Sequence, residues 1–189
     1  HIYSESGFYN TQTEEAILLD RSIVTNKGRK MVGDSLYYDS KSGVGEGFRN
    51  VVYTDEVNKN MLTGNYCYHN DSTGYSMATD SAVAIDYSQR DTMYMHADTF
   101  KVYTFYMDTD SMYREVRGYH KVRSYRMDVQ SVCDSLVFDS RDTCITMYRD
   151  PIVWNGGQQV LGEVIKVYLN DSTIDRIHVI DQTLSVERI

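Results

Sequence analysis

The stretch Gly33-Asp34-Ser35-Leu36-Tyr37-Tyr38-Asp39-Ser40 contains the pattern that decides the fold of this 189-residue chain. A small residue and an acidic residue lead into an alternating strand, and the strand ends at an Asn/Asp-rich turn. Units of the same kind occupy residues 64–71, 79–86, 133–140 and 162–171. Because one hairpin cannot bury its own apolar face, this repetition predicts antiparallel hairpins stacked along an axis.

The composition supports an all-β fold in a single domain that spans residues 1–189. The hydrophobic fraction of 41% is sufficient for a packed core, and the 17 tyrosines suit half-buried strands. The single proline, Pro151, leaves long stretches free to form ladder hydrogen bonds. Clusters of Gly, Asn, Asp and Ser that favour turns lie at residues 39–43, 70–74, 108–110, 139–142 and 155–157.

The charge distribution argues against nucleic acid as a partner. The net charge is −8 and the isoelectric point is about 5.0, whereas polyphosphate binding requires a basic face. The stretch from Met112 to Arg126 differs, because it contains five basic residues and one acid. If this stretch is a strand, Arg117, Lys121 and Arg123 share one face and are candidates to contact phosphate. The alternative interpretation is a solvated strand face.

The sequence has no sign of a membrane span, and it leaves the redox state of its cysteines open. No run approaches the ~18 apolar residues of a membrane-spanning helix. Because His1 rather than Met begins the chain, we expect that a signal peptide has been removed from a processed or excised polypeptide. Cys67, Cys133 and Cys144 lack the spacing of a metal site. Cys133 and Cys144 flank the turn at residues 139–142, so a disulfide and a pair of buried thiols are both open.

Pairs of imidazole and carboxylate side chains are the features nearest to an enzyme site. They are His69 with Asp71, His96 with Asp98, and His178 with Asp181. The sequence lacks a Gly-x-Ser-x-Gly elbow, a His-Glu-x-x-His pair and a glycine-rich phosphate loop. We therefore predict a protein that is not an enzyme and that needs no catalytic residue, cofactor or metal.

Alternation along the predicted strands indicates which side chains face the interior. The candidates are apolar side chains that recur at every second position of a strand. They are Leu36, Tyr38, Val44, Phe48, Val52, Leu62, Val83, Ile85, Phe100, Val102, Leu136, Phe138, Ile165 and Val167. Alternation fits both a groove open to lipid and a closed, dry core, and taken alone it favours the closed core.

The run of residues 31–52 carries a resemblance to a known family. It contains a strand, the turn Tyr38-Asp39, a second strand and the sequence Gly47-Phe48-Arg49-Asn50-Val51-Val52. Residues 62–65 and 134–139 repeat parts of the same unit. In the order and spacing of these pieces, residues 29 to 180 resemble the OstA-like proteins, the periplasmic bridge family of lipopolysaccharide transport.

This resemblance implies a fold, a ligand and partners. It implies a twisted antiparallel β-jelly-roll, shaped like a folded taco, whose apolar groove shields the acyl chains of lipopolysaccharide in the periplasm. It also implies edge-strand pairing with similar jelly-roll domains, including copies of this chain in a homo-oligomer. The alternatives are a structural or adhesive β-repeat module of the cell envelope without a lipid ligand and, third, a carbohydrate-active β-repeat enzyme.

Overall fold

A computed structural model describes residues 1–170, 173–181 and 183–187. In these residues sixteen strands form one open antiparallel sheet and no helix occurs, so the predicted all-β class is confirmed, and the sheet is consistent with the predicted jelly-roll. The strands are β1 (Ile2–Tyr3), β2 (Ser6–Asn10), β3 (Glu15–Asn26), β4 (Arg29–Asp39), β5 (Val44–Asp55), β6 (Asn60–Asn70), β7 (Tyr75–Asp86), β8 (Met93–Phe105), β9 (Tyr113–Arg126), β10 (Val129–Asp139), β11 (Cys144–Tyr148), β12 (Ile152–Asn155), β13 (Gln158–Leu161), β14 (Val164–Leu169), β15 (Ile174–Ile180) and β16 (Leu184–Glu187).

The long strands bend in the middle, so the sheet folds over into two facing walls. Neighbouring strands pair in chain order on both sides of the bend. Wall one contains residues 6–10, 15–19, 35–39, 44–48, 66–70, 75–79, 99–105, 113–119, 135–139, 144–148, 164–169 and 174–180. Wall two contains residues 2–3, 22–26, 29–33, 51–55, 60–64, 82–86, 93–97, 122–126, 129–133, 152–155, 158–161 and 184–187.

Pairs of residues with left-handed backbone produce the bend. In every second long strand two consecutive residues have a positive φ, and the pairing register shifts at the same place. Within strands the pairs are Asp20–Arg21, Arg49–Asn50, Asp80–Ser81 and His120–Lys121, and a fifth pair, Arg149–Asp150, lies between β11 and β12, where the chain crosses from wall one to wall two. An extra residue on one strand makes a β-bulge, which kinks and twists the sheet. Because these bulges are aligned across neighbouring strands, they fold the whole sheet along one line.

The repeated unit lies at this bend. The sequence pattern had predicted that it would lie at the entry to a strand, and that prediction is wrong. Asp34 belongs to the middle of β4, beside the bulge of β3. Its carboxylate accepts from Arg21 Nη1 at 3.3 Å and from Asn50 Nδ2 at 2.9 Å. Asn65 of the next unit donates to Asp80 at 3.0 Å. In these two units the acidic or amide residue therefore bonds to residues of the neighbouring bulges.

The predicted turn clusters do reverse the chain, at the edge of the walls opposite the bend. At residues 39–43 and 139–142, an aspartate that ends a strand accepts from the backbone N–H two residues later. Asn70 does the same in the turn at residues 70–74, where its side chain accepts from Ser72 N at 2.9 Å. Gly43 and Gly74 close two of these turns with φ of 69° and 65°, a conformation that glycine adopts readily. We call this edge of the folded sheet the mouth.

The cysteines are buried separately. Cys67, Cys133 and Cys144 are free thiols, so the alternative of a Cys133–Cys144 disulfide is wrong for this structure. Cys144 is paired with Asp139 beside the turn, whereas Cys133 lies next to the bend and pairs with Val122. Burial raises the pKa of Cys67 and of Cys133 to about 12. The described residues contain no helix that could cross a membrane.

Candidate functional site

The space between the two walls is the candidate site, and nine of the predicted inward residues lie there. All nine are buried or pack against the buried cluster and the internal cavities. They are Leu36, Tyr38, Leu62, Phe100, Val102, Leu136, Phe138, Ile165 and Val167. Their contact with lipid stays a prediction.

The inward assignment is wrong for four residues of β5 and β7. Val44, Phe48 and Val52 alternate with the buried residues of β5, and Phe48 is 41% exposed. Val83 alternates with buried residues of β7 in the same way. Ile85 alternates too but is among the residues that line the cavity described below, so its inward assignment stays a prediction. The inward positions of these strands are Gly45, Gly47, Val51 and Tyr53 in β5, and Ser76, Ala78, Ala82 and Ala84 in β7.

The shape of the bend explains this error. Close to the bend the walls converge, and the buried side chains of Leu36 and Phe100 fill the inner face there, so their register partners Gly47 and Gly118 have no room for a side chain. A Cβ atom added to Gly47 would lie 2.6 Å from Val51 Cγ1, and one added to Gly118 would lie 2.8 Å from Phe100 Cε1. On β5 the inner position next to the bend is therefore a glycine and Phe48 points outward, so assigning every large apolar residue to the core gives the wrong face for this strand.

The interior between the walls is mostly filled, and a cavity lies at the mouth. The cavity has a volume of about 190 Å³, and two smaller ones measure about 20 and 30 Å³. Leu62, Met95 and Phe138 line its apolar part, whereas Arg29, Asp55, Asn58, Asn60, His69, Ser88, Thr104, Arg114 and Ser140 line its polar part. Of the two sequence alternatives, this conformation is closer to the closed core than to an open groove.

Ion pairs between the walls hold the mouth together. Arg29 of wall two donates from Nη1 to Asp71 Oδ1, in a turn of wall one, at 2.9 Å. The same guanidinium lies 3.6 Å from Asp55, which also faces Arg114 of wall one at 3.9 Å. Asn26 donates to the second oxygen of Asp71 at 2.9 Å. Charged groups of both walls therefore meet at one point of the mouth.

His69 extends this cluster into the interior. Its Nε2 atom lies 3.0 Å from Asp71 Oδ1, and because a carboxylate only accepts, Nε2 donates. Nδ1 lies 2.7 Å from the hydroxyl of Ser76. The imidazole also stacks on Tyr53 of wall two, with ring centroids 4.8 Å apart. His69 thus braces wall one against wall two through this ring contact and through the Tyr53 hydroxyl, which lies 3.3 Å from Nε2.

Ser76, His69 and Asp71 are the residue types of a hydrolase triad, but they are used here in a paired hairpin. His69 and Ser76 are register partners of β6 and β7, and Arg29 and Asn26 also bind Asp71. A hydrolase triad acts beside backbone N–H donors that stabilise an oxyanion. The observed role of the three residues is to link the hairpin to the opposite wall.

The pKa shifts in the cluster follow from burial and from these contacts. The hydrogen bond from His69, aided by Asn26 and Arg29, lowers the pKa of Asp71 to about 2. Burial raises the pKa of Tyr53 far above its usual value. Burial, together with the charge of Arg29, lowers the pKa of Arg114. Asp71 is therefore a stable anion, whereas the positive charge of Arg114 is only partly compensated.

A second contact between the walls lies further along the mouth. Arg126 is almost fully buried and forms a bidentate pair with Asp128, at 2.6 and 2.7 Å. Its Nη1 atom donates across to the carbonyl of Asn170 at 3.5 Å. The pair with Arg126 lowers the pKa of Asp128.

The predicted phosphate contacts lie outside the groove. Arg117 and Arg123 alternate with the buried residues of β9 and face outward from wall one and wall two, respectively. Lys121 belongs to the left-handed pair at the bend, so the three residues do not share one face. Arg117 pairs with Glu115 and lies over the ring of Tyr103 at 4.9 Å. Contact of these three residues with phosphate stays a prediction.

The other histidine pairs do not assemble a site. His96 with Asp98, and His178 with Asp181, are exposed and form no ion pair with any residue that the structure describes. Among the described residues, no group of three His, Cys, Asp or Glu side chains could hold a metal ion.

Sequence reasoning missed Arg29, Asp55 and Arg114 as members of one site. A signal for the first two does exist, because Arg29 and Asp55 are register partners at the far ends of the β4–β5 hairpin. Opposite charges at matching distances from a turn indicate such a pair. Arg114 comes from the other wall, so no local pattern predicts its position.

The comparisons with known proteins add no identification. No family model matches the chain, and no curated protein matches it. The resemblance to the OstA-like proteins therefore remains a prediction from the sequence.

Proposed function

We propose that the chain shields the acyl chains of lipopolysaccharide, or of a similar amphiphile, between its two walls in the periplasm. The observation that carries this proposal is the construction of the mouth. The chain crosses from wall to wall at the bend, whereas at the mouth the walls meet through side chains. Separating the walls there uncovers a continuous apolar face without breaking any strand ladder.

The energetics favour such an opening in the presence of lipid. Each methylene group removed from water contributes about 0.8 kcal/mol, so a few acyl chains offset the loss of several partly exposed ion pairs. The side chains of these pairs are only 6–23% exposed, and opening the mouth returns their charges to water, which offsets part of the lost attraction. The cavity of about 190 Å³ is already present where the walls begin to separate.

The two ends of the sheet support the second part of the proposal, which is docking to similar domains. Strand β2 pairs only with β3, and all five of its residues are exposed. Phe8 is 73% and Tyr9 is 56% exposed. At the other end, β15 and β16 each have one partner strand. Unpaired edges with exposed apolar residues are templates for strand addition.

A photo-crosslinking experiment tests the shielding function. A photoreactive amino acid replaces Val102, which lines the cavity, or Val83, which lies on the outer face of wall two. We expect crosslinks to lipopolysaccharide from position 102 and only background from position 83. The two positions carry the same residue type, so the difference reports on the face alone.

The result also separates this proposal from its alternatives. Equal or absent crosslinking at positions 102 and 83, in variants that retain the circular dichroism spectrum of the natural chain, would favour a structural or adhesive module without a lipid ligand. If the chain hydrolyses a glycan and Ser76→Ala abolishes this activity, the result would favour the carbohydrate-active enzyme.

A further inference from the structure

We propose that Arg114, with Arg29 opposite, binds the phosphate group of the amphiphile whose acyl chains lie between the walls. This inference rests on the proposed function and adds the headgroup site to it. It replaces the outward residues of β9 as the main phosphate contact.

The first argument is the state of the Arg114 side chain. Its exposed fraction is 19%, and the only ion pair it forms in the described structure is the 3.9 Å approach to Asp55. That distance is too long for a hydrogen bond. A guanidinium carries five N–H donors, so Arg114 keeps donors available while facing the cavity. Its lowered pKa has the same origin, namely burial next to a second cation.

The second argument is that the neighbouring carboxylates have other partners. Asp55 accepts from the backbone N and from Nδ2 of Asn58, at 3.0 and 2.7 Å. Asp86 accepts from the backbone N and the hydroxyl of Ser88. Because these groups hold the two carboxylates in place, an anion that approaches from the side of Arg114 does not remove their hydrogen bonds.

The third argument concerns the shape of the ligand. Asp55 already places one carboxylate between the two guanidinium groups, at 3.6 Å from Arg29 and 3.9 Å from Arg114. A phosphate has three oxygens and a larger charge, and arginine binds it bidentately. Asn60 and Ser140 line the same cavity and supply neutral donors. The apolar side chains of Leu62 and Phe138 continue the cavity inward. The lining therefore changes from polar to apolar in the same order as the headgroup and acyl chains of an amphiphile.

The test compares two lipids and three proteins. The lipids are diphosphorylated lipid A and the same lipid after removal of both phosphates, each titrated in detergent micelles. The proteins are the natural chain, Arg114→Gln, and Lys30→Gln as a matched control. Lys30 is exposed on the outer face of wall two, so its replacement removes one charge without altering the cavity.

We expect the natural chain to prefer the phosphorylated lipid about tenfold, which corresponds to about 1.4 kcal/mol. Arg114→Gln loses this preference but binds the dephosphorylated lipid as the natural chain does, and Lys30→Gln matches the natural chain with both lipids. A further variant in addition to these three proteins, Arg114→Lys, keeps the charge and should retain part of the preference. Melting temperatures of the variants show whether they are folded.

Other results overturn the inference in distinguishable ways. If Arg114→Gln keeps the preference, the headgroup site is wrong while acyl-chain shielding stands. If neither lipid binds the natural chain, the proposed shielding of acyl chains and the proposed headgroup site are both wrong. If inorganic phosphate binds in an Arg114-dependent manner and no lipid does, the ligand is a free phosphate and not an amphiphile.

Discussion

Arg29 Nη1 lies 2.9 Å from Asp71 Oδ1, and this ion pair joins two residues that are 42 positions apart in sequence and belong to opposite walls. His69 and Asn26 bind the same carboxylate. Asp71 is therefore the residue at which the largest number of contacts across the mouth converge, and its ionisation should be coupled to the stability of the closed conformation.

We predict that Asp71→Asn lowers the free energy of unfolding by about 2 kcal/mol near neutral pH. The pKa of Asp71 is about 2 in the folded chain and higher when unfolded, so the ionised form contributes stability above the unfolded value. This contribution disappears as the pH falls from about 4 towards 2. The difference between the natural chain and Asp71→Asn, measured by urea unfolding, should shrink over that range. Asp110→Asn, in an exposed turn, serves as the control, and a pH-independent difference for Asp71→Asn would contradict the prediction.

The corrected orientation of β5 predicts different costs for two phenylalanines. Phe100 is fully buried, so Phe100→Ala should cost about 3–5 kcal/mol of unfolding free energy. Phe48 is exposed and has one aromatic contact, with Tyr66 at 5.4 Å, so Phe48→Ala should cost about 1 kcal/mol. Chemical denaturation monitored by circular dichroism measures both. Equal costs would mean that Phe48 faces the interior after all.

The convergence of the walls predicts unequal tolerance of two glycines in β5. In Gly47→Ala the new methyl group would lie 2.6 Å from Val51 Cγ1, so we expect a loss of about 1–3 kcal/mol from overpacking. In Gly45→Ala the nearest atom is 3.8 Å away, and we expect a change within about 0.5 kcal/mol. Thermal unfolding of both variants measures the difference. The proposed narrowing at the bend would be refuted by two equally stable variants.

The exposed edge strand predicts a concentration-dependent association. Phe8→Lys should weaken pairing of β2 with another copy of the chain about tenfold, because the apolar side chain no longer leaves water and the lysine opposes pairing. Val57→Lys changes an apolar residue of similar exposure in a turn and should leave association unchanged. Light scattering over a range of concentrations measures the association constant. If the two variants behave alike, the edge of β2 is not the docking surface.

The sequence by itself determined the hairpins. The alternation of β4 and β10 and the aspartate or asparagine that ends a strand are local features, and Asp39, Asn70 and Asp139 form the turns where the pattern places them. Local hydrogen bonds of these side chains with the following backbone need no distant partner, and this is the reason that they could be predicted.

Only the tertiary structure decided which face of each strand is the inner one and where the polar cluster assembles. Alternation gives two faces but does not say which is inside, and the narrow space at the bend selects Gly47 over Phe48 for the interior. Asp55 and Arg114 meet because the bulges fold one wall onto the other, which no neighbouring residue specifies. Local pattern sets the hairpins, whereas contact between the walls depends on the summed geometry of every bend.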